Sequence, residues 1–325
     1  MTMTMTMMRA MVMTGVGGLE MLEAVEVPVP VRSGAEVLVR VHATSVNPID
    51  VKTRAGAGSA AAIRKYPAVL GYDIAGTVVE SAYASHPLAP GREVYGMTIV
   101  PRFDGGNAEY AAVPELFLTS KPGVLSMTEA AAVPLAALTA WGMVVDVARV
   151  REGQRVLIHA GAGGVGHFAV QLAAYFGATV TATCSTANVS FVRQLGASRV
   201  VDYTVTRFEH EVHDHDVVID LIGNVHDDTG TRSLATMRPG GLLINAPSGS
   251  WPGMLDEAEA VGMRATDYKV SPNGATLAVI SRMIEAGDLR VHVDRVLPLE
   301  QLADAHRLVE TGRTRGKVVV EVARR

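Results

Sequence analysis

The hydrophobic pattern changes its period along the chain. Residues 9–44 alternate in the two-residue manner of strands, first at Ala10-Met11-Val12 and more strongly over Glu36–Ala43. Between them Val27-Pro28-Val29-Pro30 predicts an extended edge segment, because proline cannot donate to a central ladder. Ser45–Asp50 reads as a turn, and strand-like runs follow within Tyr66–Val79, at Glu93–Gly96 and at Tyr110–Val113. So much β pattern broken by turns predicts a compact barrel-like domain. At Ser126 the period lengthens to that of a helix and stays so through Pro134–Val145.

The middle of the chain then alternates. Val156-Leu157-Ile158 leads into Gly161-Ala162-Gly163-Gly164-Val165-Gly166, a helix-spaced set (Phe168, Val170, Leu172, Ala173, Phe176) and a second apolar run, Thr179–Thr183. Further β segments at Arg199–Tyr203, Asp216–Ile222, Gly241–Ala246 and Ala265–Val270 alternate with helical ones near Ser190–Leu195, Thr229–Met237 and Met254–Val261. This predicts an α/β fold with a doubly wound parallel Rossmann sheet. Helices are expected at Asn273–Gly287 and 299–312, then a last strand, Lys317–Val322. That strand needs a partner, so the chain is expected to return to its first domain. The expected division is 1–137 with 273–325 around 138–272, with ligands in the cleft between.

Strand, glycine turn, helix and strand in this order point to dinucleotide binding. In such a unit Gly161 permits the tight turn, Gly163 lets backbone approach a pyrophosphate, and Gly166 lets helix and strand pack closely. Gly164 and Val165 open the helix, whose N–H groups face the phosphates. About 20 residues on, where an NAD site places Asp or Glu, stands Cys184-Ser185-Thr186-Ala187-Asn188. No carboxylate there repels a 2′-phosphate, and Ser185 and Asn188 can donate to one, so NADPH is the expected cofactor.

Composition narrows the picture. The 325 residues are 48% hydrophobic with a net charge of −4, which suits a globular protein and suggests neither a nucleic-acid nor a membrane partner. The single cysteine, Cys184, excludes an internal disulfide and a cysteine-rich zinc knuckle, and fits a cytoplasmic setting. At the end of an apolar strand it reads as an inert small hydrophobe. The opening Met-Thr run, residues 1–8, lacks a signal-peptide core and reads as a frayed end. Glu209–His215, with three histidines, reads as a solvated loop rather than a metal cluster.

Val41–Gly56, Leu70–Val78, Gly105–Tyr110, Ala131–Trp141, the glycine stretch and Gly316–Val320 occur in the order of one family. The chain resembles the zinc-free quinone oxidoreductase branch of the medium-chain dehydrogenase/reductases, the branch that includes zeta-crystallin. The resemblance implies a GroES-like β-barrel catalytic domain beside the Rossmann domain, and commonly a homodimer. Zinc alcohol dehydrogenases, similar in fold, carry Cys near the position of Val46 and Gly-His-Glu where this chain has Gly71-Tyr72-Asp73. The family reading is therefore metal-free hydride transfer from NADPH to a quinone or an enone. The alternatives are an enoyl reductase for polyketide-like or acyl-thioester intermediates, and an NADPH-binding protein with little turnover.

The resemblance also assigns residues. Asn47 matches a position near the nicotinamide, able to hold the carboxamide or polarise the acceptor, the plainer reading being that it fixes the turn before Pro48. Asp50 is read as holding the same loop. Thr139 and Ala246-Pro247-Ser248 match positions at the nicotinamide half, and Tyr203 one at the adenosine end. Lys317 could reach a phosphate or merely begin the last strand. Tyr72, replacing a zinc ligand, should face the cleft and could protonate the reduced acceptor, with Tyr66 as its rival and solvent as the plain alternative.

Overall fold

The computed structural model describes residues 6–322. The frayed-end expectation falls mostly outside them, but Met7 and Met8 already belong to a strand, and Met8 is buried. Two compact units are present: Met1–Leu138 with Ser271–Gly287 and Val291–Arg325, and Thr139–Val270 with Asp288–Arg290.

The first unit begins with β1 (Met7–Met13), β2 (Leu22–Pro28) and β3 (Glu36–Val46), then α1 (Pro48–Arg54). β4 (Ala68–Val69), β5 (Asp73–Glu80), β6 (Glu93–Met97), β7 (Tyr110–Pro114) and β8 (Leu118–Ser120) lead to α2 (Met127–Ala131) and α3 (Pro134–Trp141). β2 pairs with β1 alone and ends at Pro28, the edge position that its prolines require. Ser45–Asp50 is not a simple turn. Asn47 stands at the N-cap position of α1, Pro48 fills its first turn where no N–H is needed, and the Asp50 carboxyl takes the Asn47 N–H.

The second unit holds β9 (Arg155–Ile158), α4 (Gly166–Tyr175), β10 (Thr179–Cys184), α5 (Val189–Gln194), β11 (Arg199–Asp202) and β12 (His215–Asp220). It continues with α6 (Thr229–Leu234), β13 (Met237–Asn245), α7 (Met254–Ala260) and β14 (Arg264–Asp267). These strands form one sheet in the order β11-β10-β9-β12-β13-β14, every pair parallel. The order reverses between β9 and β12, the switch point at which such sheets open a crevice beyond the strand ends. Val156, Leu157, Ile158, Val180, Ala182, Val218 and Ile219 are buried, as a sheet covered on both faces requires.

The chain then adds α8 (Gly274–Ala286), β15 (Val293–Pro298), α9 (Leu302–Glu310) and β16 (Lys317–Glu321) to the first unit. β16 runs antiparallel to β3 and parallel to β15, completing a seven-stranded sheet with β5, β6, β7 and β8. Its core joins Val37, Val39 and Val41 of β3 to Val318 and Val320 of β16. The last strand is thus a structural member of the sheet in which the chain began.

Candidate functional site

In the second unit the glycine turn sits at the C-terminal end of β9. The tight bend falls on Ala160, at φ 50°, and not on Gly161 as the spacing suggested. Gly161 is needed for closeness instead: a Cβ there would stand 2.9 Å from the Ala182 side chain of β10. A Cβ on Gly166 would run into the Ala160 carbonyl oxygen, so only glycine lets the first turn of α4 lie against the bend. At Gly163 a Cβ would meet the same oxygen at 3.3 Å, a tight contact but less severe than at Gly166, and Gly163, Gly164 and Val165 are partly exposed. An anion at this end faces the donors and positive dipole end of a ten-residue helix.

Along the same strand ends, Ser185 follows β10 and accepts a hydrogen bond from the Asn188 amide at 3.2 Å. Tyr203 follows β11, its ring exposed and its N–H bound to the Cys184 carbonyl. Cys184 is buried, and burial followed by the Asp202 charge pushes its thiol up to about 11, far from a nucleophilic thiolate. Past the switch point, Asp220 at the end of β12 accepts the Ile222 and Gly223 N–H groups and the Asn245 amide. Asn245 in turn accepts from Ser250, which closes the loop carrying Ala246, Pro247 and Ser248. Thr139 is buried in α3. The spacing argument did not find Asp220 or Asn245. A carboxylate ending one apolar strand and an amide ending the next was the signal.

Just after α3 a π-helical turn, Gly142–Val147, takes the Tyr268 ring against Gly142, where no side chain would fit. Histidines 210–215 do not form a solvated loop throughout: His215 is buried and its Nδ1 lies 3.2 Å from the Thr236 carbonyl. Among the described residues no group of three or more His, Cys, Asp or Glu side chains is placed to hold a metal ion.

The first unit contains a buried polar cluster. Asp73, opening β5, accepts hydrogen bonds from the Ser45 hydroxyl at 2.5 Å, the Asn47 amide at 2.7 Å and the Leu135 N–H at 2.7 Å. Lys317, opening β16, donates to Asn47 Oδ1, with Nζ 3.4 Å from Asp73 Oδ2. Asp50 accepts the N–H groups of Asn47 at 2.9 Å and Gly71 at 3.1 Å. Burial raises the Asp50 carboxyl to about 7 against the pull of those N–H groups, and burial lowers the Lys317 ammonium despite Asp73 and Asp50.

This cluster corrects one expectation. Lys317 is directed inward to Asn47 and Asp73 and does not extend to a phosphate; a lysine that opens an apolar strand and meets a buried carboxylate is held there by charge. Asn47 donates its amide N–H to Asp73 and accepts from Lys317. Tyr72 is fully buried rather than facing open space, with the Ser59 and Thr53 side chains near its hydroxyl. Burial first, then the Asp50 charge, raises its phenol, making it a poor proton donor in this setting. Tyr66 is exposed.

Residues 33–123 match the alcohol dehydrogenase GroES-like domain and residues 195–320 the zinc-binding dehydrogenase domain. The chloroplastic NADPH-dependent alkenal/one oxidoreductase of Arabidopsis thaliana is 35% identical, covering 96% of this chain and 79% of that one. The 2-methylene-furan-3-one reductase of Solanum lycopersicum is 34% identical over the same shares. The structure of the quinone oxidoreductase from Coxiella burnetii superposes with a TM-score of 0.92 at 34% identity, covering 98% of this chain and all of that one. The chain belongs to the medium-chain dehydrogenase/reductases. Within that superfamily its relatives are the quinone oxidoreductase-like and alkenal reductases, and the GroES-like and Rossmann-like halves are the two units described above.

Proposed function

We propose that this dehydrogenase/reductase is an NADPH-dependent reductase of quinones and activated C=C bonds that works without a metal ion. The observation that carries the reading is the glycine turn Gly161–Gly166, wedged between β9 and α4 beside the switch point of a six-stranded parallel sheet. Relatives covering nearly the whole chain, named as alkenal/one and quinone oxidoreductases, support it.

In this reading Gly161, Gly163, Gly164, Val165 and Gly166 hold the pyrophosphate. Ser185, Asn188 and Tyr203 meet the adenosine end, and Thr139, Ala246, Pro247 and Ser248 the nicotinamide half. When bound, NADPH supplies a hydride, which an already electrophilic acceptor takes without Lewis-acid activation. The chain's own share is orientation: Asp220 and Asn245 fix the loop at residues 246–250, and the Lys317–Asp73–Asn47 cluster fixes the start of α1. With Tyr72 shut away, solvent protonates the enolate or quinol anion. A cytoplasmic homodimer completes the proposal; sedimentation at micromolar concentration tests the dimer. No helix among the described residues is long and apolar enough to cross a membrane.

The test follows NADPH absorbance with a benzoquinone, an alkyl enone, an enoyl thioester and an aldehyde, each with and without EDTA. Chelator-resistant turnover confined to the quinone and the enone is expected. Preference for the thioester would make the protein an enoyl reductase. Binding without turnover would make it a cofactor-binding protein, and chelator-sensitive aldehyde reduction would sink the metal-free reading.

A further inference from the structure

The residues 185–188 supply no carboxylate, but the neighbouring strand does. In the parallel pairing of β10 with β11, Asp202 stands opposite Cys184, so its side chain belongs to the same corner as Ser185 and Asn188. Asp202 Oδ2 accepts the Thr186 hydroxyl at 2.5 Å, and Oδ1 accepts both the N–H and the hydroxyl of Thr204, at 2.9 and 2.6 Å. The two threonine hydroxyls lie 2.9 Å apart, and Tyr203 N–H reaches the Cys184 carbonyl, so the ends of β10 and β11 are laced together around the carboxylate. Three donors stabilise its charged form and hold its pKa below the usual carboxylate range. No Lys or Arg stands at 185–188 to offset that charge; Arg193, on α5, is the cation whose field reaches Cys184.

A dinucleotide seated on this sheet brings its adenosine ribose to the end of β10. There a 2′-phosphate meets a fixed negative charge, while a 2′-hydroxyl meets hydrogen-bond acceptors. We propose that Asp202 is a specificity-determining residue that works against the 2′-phosphate, so that the protein uses NADH beside NADPH with only a narrow preference. Ser185 and Asn188 favour the phosphate by donating to it; Asp202 opposes it by charge, from a strand that sequence proximity to the glycine turn does not reveal. The inference rests on the dinucleotide reading given above.

The experiment measures NADPH and NADH dissociation constants by titration calorimetry for the wild-type chain, Asp202→Asn and Asp202→Ser, at low and high salt. Removing a charge near the phosphate is expected to raise the NADPH-to-NADH affinity ratio by about three- to tenfold at low salt and by less at high salt, where the field is screened. The gain should come from tighter NADPH, with NADH changed little. An unchanged ratio in both variants overturns the proposal, as does equal weakening of both cofactors, which would make Asp202 a structural tie alone. A wild-type chain that binds neither cofactor would sink the dinucleotide reading itself, a failure that the variants cannot produce.

Discussion

At the scale of single residues, the cluster around Asp73 decides most. A carboxylate and an ammonium removed from water repay their desolvation only while each has the other and a full set of hydrogen bonds. Lys317→Met leaves the buried Asp73 without its cation, with Ser45, Asn47 and Leu135 as its remaining donors. Denaturant titration should show a loss of about 3–5 kcal/mol. Adding Asp73→Asn should restore part of it, giving a double variant less damaged than the sum of the two changes. A loss below about 1 kcal/mol for Lys317→Met would mean that the pair is not buried as described. Asn47 was legible in the sequence because it stands beside Pro48 in a segment with a family pattern. Its partners were not, since Asp73 and Lys317 are separated by 244 residues and meet only after β16 returns to β3.

At the scale of elements, the glycine turn was readable and its division of labour was not. Strand, turn, helix and strand follow from the change of apolar period, but which residue takes the left-handed conformation depends on how closely β9, β10 and α4 approach. Ala160 bears the positive φ, and Gly161 and Gly166 bear the close contacts. Ala160→Gly should therefore raise stability by up to about 1 kcal/mol, since left-handed backbone costs alanine more than glycine's entropy costs in return. Gly166→Ala should do the reverse, because the added carbon meets a backbone oxygen that cannot step aside. A loss of about 1–3 kcal/mol and of NADPH affinity is expected, and unchanged binding would detach the turn from the cofactor. The same contrast applies to α1, whose start signals were in plain view: Asn47 at the N-cap position, Pro48 in the first turn and Asp50 at the third position. Asp202 was hidden for a different reason, because it reaches the end of β10 by strand pairing rather than by chain proximity.

At the scale of the whole molecule, burial of titratable groups sets the response to pH. His306 on α9 is fully buried, its ring nitrogens have no hydrogen-bond partner among the described residues, and burial together with the Arg54 charge pushes it down to about 3. His159, wedged between Thr183 and Ser233 and against Phe208, is pushed to about 4, chiefly by burial. Between those values and the unfolded value near 6.5, the unfolded chain binds protons that the folded chain refuses. Each histidine therefore removes about 1.4 kcal/mol of stability per unit as pH falls through that window. Asp50 acts in the opposite sense. Its folded carboxyl, at about 7, keeps a proton that the unfolded chain releases near 4, so its contribution is present in acid and lost as pH rises. Between about pH 4 and 6.5 two histidines outweigh one carboxyl, and buried His215 with partly buried His42 and His292, each also lowered first by burial, add to the acid loss. Stability measured by denaturant titration at intervals from pH 6.5 to 4.5 should fall on acidification, and His306→Leu should remove about 1.4 kcal/mol per pH unit from that slope. An identical slope in the variant would mean that His306 takes up its proton in the folded protein, and that Arg54 and the surrounding helix give way to admit the charge.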